Sequence, residues 1–279
     1  MAHYKISVLE IGRDHKFPAG VAFDFWHMGD QFIYSPFSMT LIQGEGHNIL
    51  FDCGFDLSRP EIRDRIAAEQ DDNCHDPKEV LASVGLTPDD IDSVIISHCH
   101  WDHMSGLSYF PNSTIYIQRS EADNWLRAMN DETFPLTHKC VVDKGSLDTL
   151  FDLARAGKVI FLDGDYSELF PGISVKACSG HSFAQNVLLI DNDDGRYAIV
   201  GDVAMRPESF TGTDAFPCFL PNLKFSVGTI ENIVGSYKDI LGWVQGRVDR
   251  IVMSHDGTRH TLPSTTRSSL DLDVTVISE

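Results

Sequence analysis

Short apolar runs alternate with amphipathic stretches along the whole chain. KISVLEIG, SMTLIQ, NILFDCG, SVIISH, TIYIQ, KVIFL, ISVKACSGH, NVLLID, YAIVGD and RIVMSH are rich in branched residues and mostly bounded by Gly, Asp or Asn, which predicts strands. Between them, PEIRDRIAAEQ, DPKEVLASVG with Gly85 as its stop, SEADNWLRAMN and TIENIVGSYKDILGWVQG carry helical spacing. In the third of these Ser120 is the expected cap, with Glu121 in the first turn. The strands come in two long runs, each followed by helices. The expected object is therefore α/β: two sheets face to face with helices on the outer faces, a four-layer αββα sandwich. No composition break marks a linker, so residues 1–279 read as a single domain. The stretch from Asn130 to Gly157 matches neither template and reads equally as an insertion over a site or as a surface connection.

Composition narrows the partners. With 42% hydrophobic residues over 279 positions the chain can bury a substantial core. Acidic residues outnumber basic ones 41 to 22, a net charge of −19, and no Lys/Arg cluster interrupts that field. Nucleic acid is disfavoured, and a neutral or weakly charged small molecule is the expected substrate. The segment MAHYKISVLEIG reads as a strand rather than a charged leader, and no apolar run is long enough for a bilayer, so the expectation is a cytoplasmic protein with no membrane partner. The six cysteines lack C-x-x-C spacing and read as reduced thiols. These features leave room for a homodimer.

The candidate chemistry lies at the ends of strands. SVIIS runs into His98, Cys99, His100, Trp101, Asp102 and His103; ISVKACSG ends in His181, YAIVG in Asp202, and RIVMS in His255. Four strand ends thus deliver five histidines and two aspartates to one sheet edge. Imidazole with carboxylate suits borderline divalent ions: zinc first, with iron, manganese or cobalt as alternatives. Seven donors exceed one tetrahedral ion and fit two. The spacing lets His98 and His100 serve one ion while Asp102 and His103 turn to the other. Cys99, on the opposite side of an extended segment, is expected to pack, and Trp101 to wall the core.

The H-x-H-x-D-H motif at His98–His103, followed by GH, GD and SHD, resembles the metallo-β-lactamase-fold hydrolase superfamily over nearly the whole chain. NILFDCG, LTPDDIDSVIISHCHWDHMSGL, IYIQRSEAD and GDYSELFPGISVKACSGHS are most similar to the N-acyl-homoserine lactonase branch. The resemblance implies His98, His100 and His181 on a first ion, Asp102, His103 and His255 on a second, and Asp202 bridging. Asp52 of FDCG would steady the ligand loop. The implied activity is a dinuclear-metal-dependent hydrolase, with Zn2+ the foremost cofactor, that opens a lactone ring by attack of a metal-bridging hydroxide. Asp102 and Asp202 are the catalytic carboxylates, with Asp202 moving a proton to the departing alkoxide. Alternatives on the same fold are a thioester or cyclic-amide hydrolase and a mononuclear-iron persulfide dioxygenase. A protein that only sequesters its ligand would be expected to lose a donor, and all seven are present. The aromatic segment FDFWHMGDQFIY borders the substrate site in the related lactonases, which makes Phe25, Trp26 and His27 candidates for substrate contact. Two departures bear on substrate. GHSFAQN lacks the usual second histidine after GH, and Met205 stands where the branch commonly has a tyrosine able to hydrogen-bond the lactone. Tyr34 and Lys224 are the candidate replacement donors.

Overall fold

The apolar runs become two sheets. In the computed structural model, which describes residues 2–25, 28, 31–214, 216–223 and 225–279, the first sheet holds β1 (Tyr4–Pro18), β2 (Phe32–Gly44), β3 (His47–Phe51), β4 (Ser93–Ile95), β5 (Thr114–Gln118) and β6 (Val159–Leu162). The second holds β7 (Tyr166–Phe170), β8 (Ile173–Cys178), β9 (Gln185–Asn192), β10 (Gly195–Gly201) and β11 (Ile251–Met253). The chain then returns through β12 (Thr265–Arg267) and β13 (Asp273–Ser278) to the first sheet, giving the orders β12-β13-β1-β2-β3-β4-β5-β6 and β11-β10-β9-β8-β7. Trp26, His27 and Lys224 lie outside the described residues.

Helices fill the connections. α1 (Ala19–Ala22) follows β1; α2 (Pro60–Glu69) and α3 (Pro77–Ser83) lead from β3 to β4; α4 (Trp101–Met104) closes the histidine loop. α5 (Arg119–Asn130), α6 (Leu136–Lys139) and α7 (Lys144–Arg155) precede β6, and α8 (Glu208–Thr211) and α9 (Ile230–Trp243) precede β11. No helix among the described residues is long and apolar enough to cross a membrane.

Three cores separate the four layers. Leu50, Val94, Ile115 and Ile117 pack outward against Ile62 of α2, Leu81 of α3, Trp125 of α5 and Leu150 of α7. Ile49, Phe51 and Ile95 point inward and meet Val175, Leu188, Ile190 and Ile199 of the second sheet. Val187, Leu189 and Val200 turn to the far side, onto Ile233, Tyr237 and Ile240 of α9. Leu188 and Leu189 are neighbours in different cores because side chains alternate across a strand. With both faces buried, NILF and NVLLI read as unbroken apolar runs.

Two expectations need correction. α5 starts at Arg119 with Gln118 as its N-cap residue, so Ser120 lies inside the helix and caps nothing. The stretch 130–157 holds two helices. Asp143 caps α7 by accepting from the Ser146 amide at 2.6 Å, and the turn before it sends Val141 O to accept from Trp101 N at 3.0 Å. That turn therefore stands against the histidine loop.

Parallel pairing places the strand ends together. Phe51 is level with Ile95, and Ile95 with Tyr116; Gly201 is level with Met253. Asn186 then ties the sheets at this edge, its amide N donating to Ser97 O (2.9 Å) and its Nδ2 to Ile96 O (2.8 Å).

Candidate metal centre

Immediately beyond these strand ends lie Asp52, His98, His181, Asp202 and His255. Gly201 makes the approach feasible: it has φ +55°, and a Cβ there would sit 3.0 Å from Ser97 Cβ. Asp52 also adopts the left-handed region, at φ +63°, which an aspartate tolerates better than most side chains.

Seven side chains that could hold metal ions converge in two groups. His98, His100, His181 and Asp202 each offer an atom within 4.8 Å of the others, as do Asp102, His103 and His255. Asp202 joins the groups, since its Oδ2 lies 3.9 Å from His98 Nε2, 3.6 Å from His181 Nε2, 3.3 Å from His103 Nε2 and 3.2 Å from His255 Nε2. Asp102 Oδ2 is 3.2 Å from His103 Nε2 and 3.3 Å from His255 Nε2.

Three of the five rings are aimed from behind. His103 Nδ1 donates to Asp52 Oδ2 at 2.8 Å, and His255 Nδ1 donates to Pro36 O at 2.9 Å. Ser97 Oγ gives its proton to Asp52 Oδ2 at 2.8 Å, which leaves it to accept from His98 Nδ1 at 2.8 Å. In each case Nε2 is left facing the donor cluster, the arrangement expected behind metal-binding imidazoles.

The electrostatics divide the same way. Burial, with the neighbouring imidazoles, pushes His98 and His100 well below the ordinary histidine range, and burial brings His181 down to about 4. For His103 burial opposes the charged form but Asp102, Asp202 and Asp52 overcome it, so its pKa lies well above the ordinary value; Asp202 and Asp102 similarly raise His255 to about 10 against burial. Asp102 and Asp202 are held well below the carboxylate range by His103 and His255, although burial alone would raise them. One half of the site is thus neutral imidazole and the other balances carboxylate against positive charge.

A cleft of about 500 Å3 opens onto the cluster. Phe17, Val21, Phe37, Trp101, Val141 and Met205 contribute apolar wall, and Asp14, Arg65 and Glu69 contribute charge. Trp101 is mostly core, stacked on Phe55 at 5.7 Å, with the Arg65 guanidinium 5.0 Å from its ring centroid. Cys99 is buried in the core outside the first sheet, where burial pushes its thiol pKa far up. Met205 packs with Ala19, Ala22, Phe23 and Leu220 and receives a hydrogen bond on its sulfur from Asn222 Nδ2. Phe25 packs against this group and meets Phe216 edge-on at 5.0 Å.

Tyr34 is placed elsewhere, which corrects its role as replacement donor: it lines a separate small cavity and its hydroxyl donates to Glu10. Several contributors have no counterpart among the sequence candidates, Ser97, Asn222 and Val141 among them. Ser97 stands beside the motif but looks like an ordinary strand-end serine. Asn222 and Val141 reach the cleft from segments with no periodic pattern, so no local signal marks them.

Comparison with known proteins agrees with this architecture. The Metallo-beta-lactamase superfamily model matches residues 37–255. The N-acyl homoserine lactonase AiiA of Bacillus thuringiensis subsp. kurstaki is 29% identical over 164 residues, 58% of each chain, so this chain spans less than two thirds of the length of the curated relatives it matches. Among solved structures, AidC, a dizinc quorum-quenching lactonase in complex with a product, aligns with TM-score 0.65 over 100% of this chain and 98% of its own at 17% identity. A probable metal-dependent hydrolase from Staphylococcus aureus aligns with TM-score 0.70 over 92% and 91% at 19% identity. Since the family model spans the strand ends from which every donor arises, the chain belongs to the metallo-beta-lactamase superfamily.

Proposed function

We propose that this chain is a two-ion hydrolase that opens the ring of a small lactone, with residues 1–279 acting as one domain. His98, His100 and His181 would hold the first ion and Asp102, His103 and His255 the second, with Asp202 placed between the two groups. The observation that carries this reading is the position of Asp202 Oδ2, within 3.9 Å of four imidazole nitrogens drawn from both groups. The donor set fits divalent cations. Nε2 of His98, His100 and His103, Nδ1 of His181 and Oδ1 of Asp202 are all buried without a hydrogen-bond partner, a costly arrangement unless something electrophilic satisfies them. Imidazole with carboxylate suits zinc, and the dizinc lactonase AidC shares the fold.

Bound divalent ions supply Lewis-acid polarisation of a carbonyl and bring the pKa of water toward neutrality. The chain supplies the rest. Asp202, held ionised by His255 and His103, would pass a proton to the departing alkoxide, directly or through a water it orients. Asp52 and Ser97 fix the tautomers of His103 and His98, so that no reorientation is needed during the reaction. The wall of Phe17, Val21, Phe37 and Met205 excludes water and favours a compact substrate with an apolar face.

The test is metal analysis of the purified protein together with hydrolysis of a panel of lactones, thioesters and cyclic amides. Two divalent ions per chain and ring opening of at least one lactone class are expected. A stoichiometry that stays at one with zinc, manganese or iron in excess would defeat the two-ion reading. Turnover confined to thioesters or amides would replace the substrate class.

A further inference from the structure

We propose that Glu121 is a positioning residue that clamps the His98–His100 loop to the His181 loop and so sets the spacing of the first donor group; this rests on the metal-centre reading above. Glu121 is fully buried, at 0% exposure, near the start of α5. Its Oε1 accepts from Cys99 N at 2.9 Å, Trp125 Nε1 at 2.9 Å and Ser182 Oγ at 2.5 Å, and its Oε2 accepts from Ala184 N at 2.8 Å. Cys99 lies between the donors His98 and His100, and Ser182 directly follows the donor His181. One carboxylate therefore spans two loops that are 61 residues or more from it on one side and 22 on the other.

The rings these loops carry are in contact, with His181 Nε2 3.1 Å from His100 Nδ1. Trp125 completes the clamp, since its indole N–H also reaches Ser182 Oγ at 2.8 Å and its ring meets His100 edge-on at 5.8 Å. The second donor group is braced by other atoms, Asp52 behind His103 and Pro36 O behind His255. Glu121 touches neither of these braces in the bonds it makes. A defect at Glu121 should therefore fall on one ion and spare the other.

Glu121→Gln tests this, because the carboxamide presents an NH2 group where a carboxylate oxygen met a backbone N–H. Stepwise zinc binding to the metal-depleted protein is measured by chelator competition, alongside the visible spectrum of the cobalt(II)-loaded protein and the melting temperature without metal. The expected result is about a 10- to 100-fold loss of affinity for the ion that His181→Ala also loses, with the other ion retained and the cobalt spectrum altered. Ser182→Ala removes a single donor and carries the same test should Glu121→Gln fail to fold; a smaller loss at the same ion is expected. A lowered melting temperature with both zinc affinities and the cobalt spectrum unchanged would make Glu121 a purely structural residue and overturn the inference. Equal weakening of both ions would overturn it too. If the unmutated protein takes up no divalent ion, this inference falls together with the reading beneath it; if it takes up two and Glu121→Gln binds them as well, the inference falls alone.

Discussion

Two groups of carboxylates near the cleft titrate in opposite directions. Asp102 and Asp202 in the donor cluster are held well below the ordinary range, because His103 and His255 outweigh burial. Asp71, beside the cleft-lining Asp14 and Glu69, is pushed up to about 8 by burial, with the charges of Glu69 and Asp14 adding to the shift. Both groups lose water; in the donor cluster the neighbouring imidazoles outweigh burial, whereas at Asp71 the nearby acids add to it. In the cluster, His103 and His255 hold the carboxylates ionised, and the rings of His98, His103 and His255 are each aimed by a buried acceptor. The wall is drawn from β1, α1, β2, α2 and the connection after β10, and beside it both carboxylate oxygens of Asp71 lack a hydrogen-bond partner. Reaction class should therefore be hard to change by mutation without losing activity, and substrate preference easy.

The sharpest way to break this contrast is Asp202→Asn. It keeps the shape of the side chain but removes the charge shared by both donor groups, and kcat is expected to fall at least about a hundredfold with the circular dichroism unchanged. Near-normal turnover in folded protein would mean Asp202 is not central to the cluster. Asp52→Asn is the next step down. The asparagine tolerates the left-handed backbone at this position but cannot match the donors His103 Nδ1, Ser97 N and Ser97 Oγ with two acceptor oxygens. Zinc affinity is expected to drop about 10- to 100-fold; retention of wild-type affinity would show that His103 needs no brace.

On the wall, Met205→Tyr addresses preference. Met205 supplies no donor, so N-acyl homoserine lactones are expected to be poorer substrates, by kcat/KM, than compact or aromatic-fused lactones. Restoring a phenol should recover about 1–3 kcal/mol of transition-state stabilisation on homoserine lactones. A tyrosine variant that gains nothing on them, or an unmutated protein that already prefers them, would mean another group makes that bond; Asn222, which holds the Met205 sulfur, is then the first to examine.

The same division explains what could be read in advance. The convergence of these side chains was legible because H-x-H-x-D-H is local and the others each end an apolar run, so strand pairing alone brings them together. The layers were legible because strands buried on both faces appear as continuous apolar runs. β7, with only Phe170 of its five residues buried, offered no such run, and the short β12 is likewise largely exposed. α7 did carry helical spacing at Leu147, Leu150 and Phe151, with Asp143 as its cap, but its flanking turns obscured it. Glu121 looked like a first-turn acid, since nothing nearby in sequence shows that its partners are Cys99, Ser182 and Ala184. Tyr34 was misplaced for the converse reason: sequence proximity to the aromatic segment said nothing about Glu10, to which its hydroxyl turns.

The smallest expected effect concerns Asp71 and tests whether the wall really lacks compensation. Both carboxylate oxygens of Asp71 are buried without a hydrogen-bond partner. Its pKa rises from an ordinary 3.8 to about 8 on folding, so between those values the folded chain holds a proton that the unfolded chain has released. Stability from this group is complete below pH 3.8 and is lost progressively as pH rises to about 8, beyond which the folded chain carries a buried, unpaired charge. Asp71→Asn does not titrate and should escape that loss. In metal-depleted protein, thermal melts are expected to show the variant gaining on the unmutated chain as pH rises from 5 to about 8, and levelling off above that. A difference in melting temperature that is flat across this range would mean Asp71 is ionised in the folded chain. It would then have a cationic or hydrogen-bonding partner, and the wall would resemble the donor cluster more closely than its geometry indicates.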